Sequence, residues 1–248
     1  MNERIDAVDA LDTPAPPGVA VSRTRQAYLS VALLIAGIVA WGFWETYYSQ
    51  ALARADLPLI VHAHAAVFSI WVLVLVAQAA VVVVGNVRLH KRLGVAAMLY
   101  GALVFFVGLL VSVGAPALRV RASFYSLDVG GVIVLYNLTD MLLFGAFLAF
   151  AFVHRNRPEL HKRWIIAATA ALCGAALGRV VPGNSAQYLL LWLSPLLALV
   201  AVDLLTRRRV HWIPVVSGGL LVVAFFRVPL YAAPIWRDVG RALLRPFV

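Results

Sequence analysis

The six histidines are the residues here best suited to hold a metal, carry a proton or ligate haem iron. Imidazole changes charge near neutral pH and offers a nitrogen lone pair when neutral. His62 and His64 open one apolar run, and Phe68, Trp71, Leu75 and Gln78 follow His64 at steps of four, three, four and three. On a helix this spacing is a single stripe, with His64 and Gln78 about 21 Å apart and the stripe turned toward protein. His62 lies about 200° round the helix from His64, so the two cannot chelate one ion from a regular helix without distortion or a second helix. Glu45, at the end of the preceding run, stands at that level, and His62, His64 and Glu45 are the candidate metal ligands.

Other polar residues gather at the same level: Asn137 and Asp140 in the fourth apolar run, Arg179 near the end of the fifth and Arg227 in the seventh. Ionisable groups at such depths cost about 2.5–3.5 kcal/mol each and normally face a cavity or one another. They predict an outward-facing polar pocket for a metal, a haem edge, or an anionic or quinone-like molecule. The plainer alternative is a set of ion pairs, Asp140 with Arg179 or Arg227, that fixes helix register. A second histidine group, His90, His154, His161 and His211, sits in basic runs at the opposite level. These histidines are either ligands of haem iron or a divalent ion, or anchors at the head-group layer; for His154 and His211 the anchoring reading is preferred. Spacings of 14 separate His64 from Gln78 and Asp140 from His154, but each pair contains one histidine, so a two-haem bundle lacks ligands. A single haem on His64, or on His90 with His154 or His161, survives that test.

The elements that must position these residues are apolar. With 63% hydrophobic and 13% charged residues over 248 positions, the chain is unlike a water-soluble domain. Seven runs are read as membrane spans: 27–48, 58–84, 93–113, 130–154, 163–182, 186–205 and 213–233. The expected fold is all-α, a polytopic transmembrane bundle of seven spans (25–233), preceded by a disordered cytoplasmic tail (1–24) and followed by an interfacial amphipathic tail (234–248). Arg4, Arg23 and Arg25, then Arg88, Lys91 and Arg92, then Arg155, Arg157, Lys162 and Arg163, then Arg207, Arg208 and Arg209 fall on one side. That asymmetry predicts a cytoplasmic N-terminus and a C-terminus outside. The net charge of +10 then meets anionic lipid, and nucleic acid is excluded as a partner because no aromatic and basic platform lies outside the spans. No cleavable signal peptide is visible, so the first span is expected to act as its own insertion signal. The segment 114–129 reads as the longest loop, and Gly174 and Gly178 as a small-xxx-small step for close packing within the bundle. Cys173 is the only cysteine, which excludes an intramolecular disulfide.

The set His64-x13-Gln78-x11-His90-Lys-Arg-Leu-Gly94, then His161-Lys-Arg-Trp164, Arg179 and Pro182, resembles a family of uncharacterised bacterial polytopic membrane proteins. That family carries an early histidine and a late glutamine in one span, an HR-x-LG loop, and an HR-x-WM loop with an arginine eighteen residues on. The resemblance covers roughly 58–182 and departs at Ile165, often methionine, and at Ala167, often arginine. It implies a multi-span fold and draws attention to His64, Gln78, His90, His161 and Arg179, without bringing an activity. No nucleophile triad, phosphate-binding loop or HExxH pattern is present, and no lysine in the seventh span could hold retinal. The expectation is therefore a multi-pass protein of the bacterial inner membrane whose bundle holds haem b or copper for electron transfer. Its cofactor-binding candidates are His64, Gln78, His90, His161, Asp140 and Arg179, and its partners are membrane lipids and other membrane subunits. Whether it is itself an enzyme stays open; the alternative is a non-catalytic accessory or assembly subunit.

Overall fold

The computed structural model describes residues 17–50 and 57–248, and among them every regular element is helical. Nine α-helices follow one another: α1 (Pro17–Trp44), α2 (Leu59–Val83), α3 (Val87–Arg121), α4 (Leu127–Val153), α5 (Pro158–Leu177), α6 (Ala186–Arg207), α7 (Trp212–Phe225), α8 (Arg227–Ala232) and α9 (Pro234–Leu244). Five of them are long and apolar enough to cross a membrane: α1 from Arg23, then α2, α3, α4 and α6. The fifth and seventh predicted spans differ. α5 opens with Glu159, Lys162 and Arg163 in its first turns. α7 has only 14 residues before the chain bends at Phe226 into α8, short of the roughly 20 that a bilayer requires.

Two boundaries of the sequence reading are corrected. Residues 1–16 of the expected tail, together with Arg4, lie outside the described residues, as does Arg54, but α1 begins at Pro17, inside that tail; proline's fixed φ suits a first helical turn. The expected loop 114–129 is mostly helix: α3 continues through the buried Pro116 to Arg121, and α4 starts at Leu127 with Ser126 accepting from the Val129 N–H. A proline near the end of a helix leaves little downstream helix to disturb.

α5 is the central post, packed by α1, α4, α6 and α7. Its run Ala167-Ala168-Thr169-Ala170-Ala171 is wholly buried, because small side chains let neighbouring helices close in. Two indoles reach that post: Trp71 Nε1 donates to Thr169 Oγ1 at 3.2 Å and Trp192 Nε1 to the Ala170 carbonyl at 3.0 Å. The α2 stripe therefore faces protein, with Trp71 and Leu75 buried. Gly174 receives the rings of Tyr188 and Trp192, whereas the closest helix approach sets Gly42 of α1 against the Ala176 backbone.

The amphipathic tail is a docked helix. Gly240 of α9 lies on Gly131 of α4, each so near that an added Cβ would sit 2.7 Å from a backbone carbon of the other. Leu244 is fully buried there, and Arg241 bonds Asp128. Ile235, Val239, Leu243 and Phe247, at steps of four, stay exposed and form an apolar stripe suited to lipid. Gly240→Leu is expected to release α9 at a cost of about 1–3 kcal/mol from overpacking; faster proteolysis after Ala233 with the rest of the bundle intact checks it.

Candidate functional site

Polar groups collect at two ends of the bundle. At the end bearing the basic loops, Arg163 and Asp203 form an ion pair with both side chains 1% exposed. Glu159 links the same arginine at 2.8 Å, Lys162 at 2.8 Å, and also Arg207. Asp203 accepts the His211 backbone N–H at 3.0 Å, so one carboxylate joins α5, α6 and the start of α7. Burial works against the ionised Glu159, but hydrogen bonds from Lys162 and Arg163 overcome it and bring the carboxyl from 4.5 to about 2. With the folded value lowered, its stabilising contribution is complete above pH 4.5 and disappears as pH falls toward 2. Melting temperature followed from pH 6 down to pH 2 should therefore fall more steeply in the wild type than in Glu159→Gln.

Beside this lock, His90 from the first turn of α3 and His161 from the first turn of α5 bring their rings to 6.4 Å between centroids, inclined at 70°. α3 and α5 share no extended packing, since α4 lies between them. His161 Nδ1 is held by the Ala151 carbonyl at 2.9 Å, which assigns Nδ1 the proton and leaves the Nε2 lone pair free. Burial pushes this ring below the ordinary imidazole value, against the pull of that carbonyl. The Gln78 backbone carbonyl stands by His90. His90 Nδ1 and Gln78 Oε1 are both buried and, among the described residues, unpartnered. On α5, Trp164 stacks on Phe150 at 5.0 Å and packs against Phe147 at 5.5 Å.

At the opposite end a cavity of about 560 Å³ is lined by Tyr136, Arg179, Asn184, Tyr188, Trp192 and Arg227, among others. Arg227 is 7% exposed. It pairs with Asp140 at 2.7 Å and lies over the Tyr136 ring at 4.7 Å and the Trp192 ring at 5.7 Å. Tyr188 Oη donates to the Gly174 carbonyl at 3.1 Å.

The sequence candidates thus separate. Gln78, His90 and His161 come together, and so do Asp140, Arg179 and Arg227. His64 packs on Phe68 at 4.3 Å, within electrostatic range of Arg179 and at the far end of α2 from Gln78. His62 meets the Tyr47 hydroxyl at 3.0 Å, and Glu45 faces a groove with Trp41, Trp44 and Val180. Among the described residues no group of three or more His, Cys, Asp or Glu side chains is placed to hold a metal ion, so His62, His64 and Glu45 are not gathered into one. His154 bonds its own helix at the Phe150 carbonyl, 2.8 Å away, and His211 caps α7 while stacking on Trp212, as anchoring residues do. Sequence reasoning passed over Glu159 and Asp203. Asp203 carried a usable signal, an isolated carboxylate inside an apolar run.

Fold and geometry define an all-helical bundle, with five helices of membrane-crossing length and composition, an imidazole pair at its basic end and an arginine-lined cavity at the other. No family model, curated protein or solved structure matches the chain.

Proposed function

We propose that this chain is a multi-pass protein of the bacterial inner membrane, N-terminus in the cytoplasm, whose His90 and His161 hold one haem iron and carry electrons. The seven-span reading goes with it: α5 is shielded from lipid by its neighbours, and α7 with α8 completes the crossing. The observation that carries the reading is the meeting of two imidazoles from helices that share no extended packing. Their ring centres stand 6.4 Å apart, and His90 and His161 are the residues that would hold the iron.

The donor set favours haem over a bare ion. Two imidazoles without a third ligand leave a bare divalent ion short of donors, whereas a porphyrin itself fills four positions. When bound, the haem would supply a one-electron couple. The chain's residues do the rest. The Ala151 carbonyl orients His161, and the Gln78 backbone carbonyl borders His90. The family resemblance draws attention to Gln78, His90 and His161 of this cluster, and equally to His64 and Arg179 outside it.

Visible absorption and metal content of the protein purified from haem-sufficient cells test the reading. A Soret band with one iron per chain is expected. Copper without haem would reassign the metal; neither metal would overturn the proposal and leave the accessory-subunit reading.

A further inference from the structure

The cavity at the other end lies outside the imidazole pair and has its own chemistry. Tyr136, Tyr188, Trp192 and Phe225 give it aromatic walls, and Arg179 and Arg227 give it charge. Asp140 balances Arg227. Arg179 has no carboxylate partner among the described residues; it bonds the Ala175 carbonyl and lies 4.3 Å over the Phe43 ring. Among the described residues the cavity therefore carries one positive charge without a carboxylate partner. Arg227, nine-tenths buried, also keeps an Nε without a hydrogen-bond partner. Asn184 adds an amide, and the amino end of α6 follows it directly, contributing the positive pole of a helix dipole.

A planar guanidinium fork matches the oxygens of a phosphate ester, and a single net positive charge matches a phosphodiester monoanion. Tyr231 of α8 contacts Tyr136 on the cavity wall and Trp236 of α9, so aromatic contacts join the cavity to the amphipathic helix, whose exposed apolar stripe suits the head-group layer.

We propose that the cavity lined by Arg179, Arg227, Asn184 and the aromatic residues binds a phosphodiester monoanion of the glycerophosphate class, with Arg179 as the residue that recognises its charge. The source is either a membrane phospholipid or its water-soluble head-group ester. Arg227 and Asp140 hold each other in place, and Tyr188 and Trp192 accept the glycerol and first methylenes.

Native mass spectrometry of the delipidated full chain, titrated separately with phosphatidylglycerol and with soluble glycerophosphoglycerol, distinguishes the sources. Arg179→Gln should weaken binding about tenfold, the worth of a charge-assisted contact. Arg121→Gln, which removes an exposed arginine away from the cavity, should leave it unchanged. Asn184→Leu gives a second variant should Arg179→Gln fail to fold, and is expected to weaken binding as well. Lipid binding that depends on Arg179 supports the proposal with a membrane source; ester binding with the same dependence and no lipid binding supports it with a soluble source. Equal affinity in wild type and both cavity variants, or no binding of either probe, overturns it.

Discussion

Asp203→Leu lowers stability by about 3–5 kcal/mol, because it strands the Arg163 guanidinium in a site where both partners are 1% exposed. In a chain of this size that is a fall of roughly 6–20 °C in Tm. The loss has two components. Arg163 keeps Glu159 as its remaining carboxylate, but Glu159 is half exposed and already shared with Lys162 and Arg207. The His211 N–H, which caps the start of α7 on Asp203, loses its acceptor at the same time. The double change Arg163→Leu with Asp203→Leu is expected to recover most of the stability, since two apolar side chains bury without a desolvation cost. Thermal unfolding in detergent reads all three proteins; a single variant melting with the wild type would show that the pair does not hold these helices.

Loss of either ligand is expected to abolish haem binding. His90→Ala and His161→Ala should each leave a folded bundle without the Soret band, because the two rings come from separate helices and neither has a substitute nearby. Gln78 meets His90 through its backbone carbonyl, which Gln78→Leu keeps, so that variant is expected to retain haem binding. His64→Ala and His154→Ala should keep full occupancy. His64 stands toward the other end of α2, and His154 is engaged with its own helix at Phe150. Haem titration of the apoprotein, followed by absorbance, ranks the five variants. Retained binding in His161→Ala, or its loss in His64→Ala, contradicts the assignment.

Much of this was legible in the residues. The alternation of apolar runs and basic loops predicts the helices, because period and length report burial and solvent directly. The stripe from His64 to Gln78 faces protein as its spacing requires, and the ion pair expected of Asp140 is made with Arg227. Pairing between histidines was less legible. His90 and His161 are 71 positions apart and meet only because α4 brackets both helices, an arrangement that spacing within one helix cannot express. His64 drew attention for its place on a clear stripe, yet a stripe identifies which face is buried and not which residue lies opposite. The extent of α3 was hidden by Pro116 and the arginines after it, which look like a loop until the buried surface around Pro116 and Ala117 is seen. Glu159 and Asp203 escape sequence reasoning for a related reason: one falls between two apolar runs and the other near the end of a run, and only the packing of α5 against α6 brings both to one arginine.

Electron paramagnetic resonance of the oxidised, purified protein tests the imidazole pair most directly, because the signal of ferric haem reports its axial ligands. A low-spin spectrum with two imidazole ligands, absent from His90→Ala and His161→Ala, is the predicted result. A high-spin spectrum, or a low-spin signal that survives in either variant, would contradict the claim that these two side chains meet across a single iron.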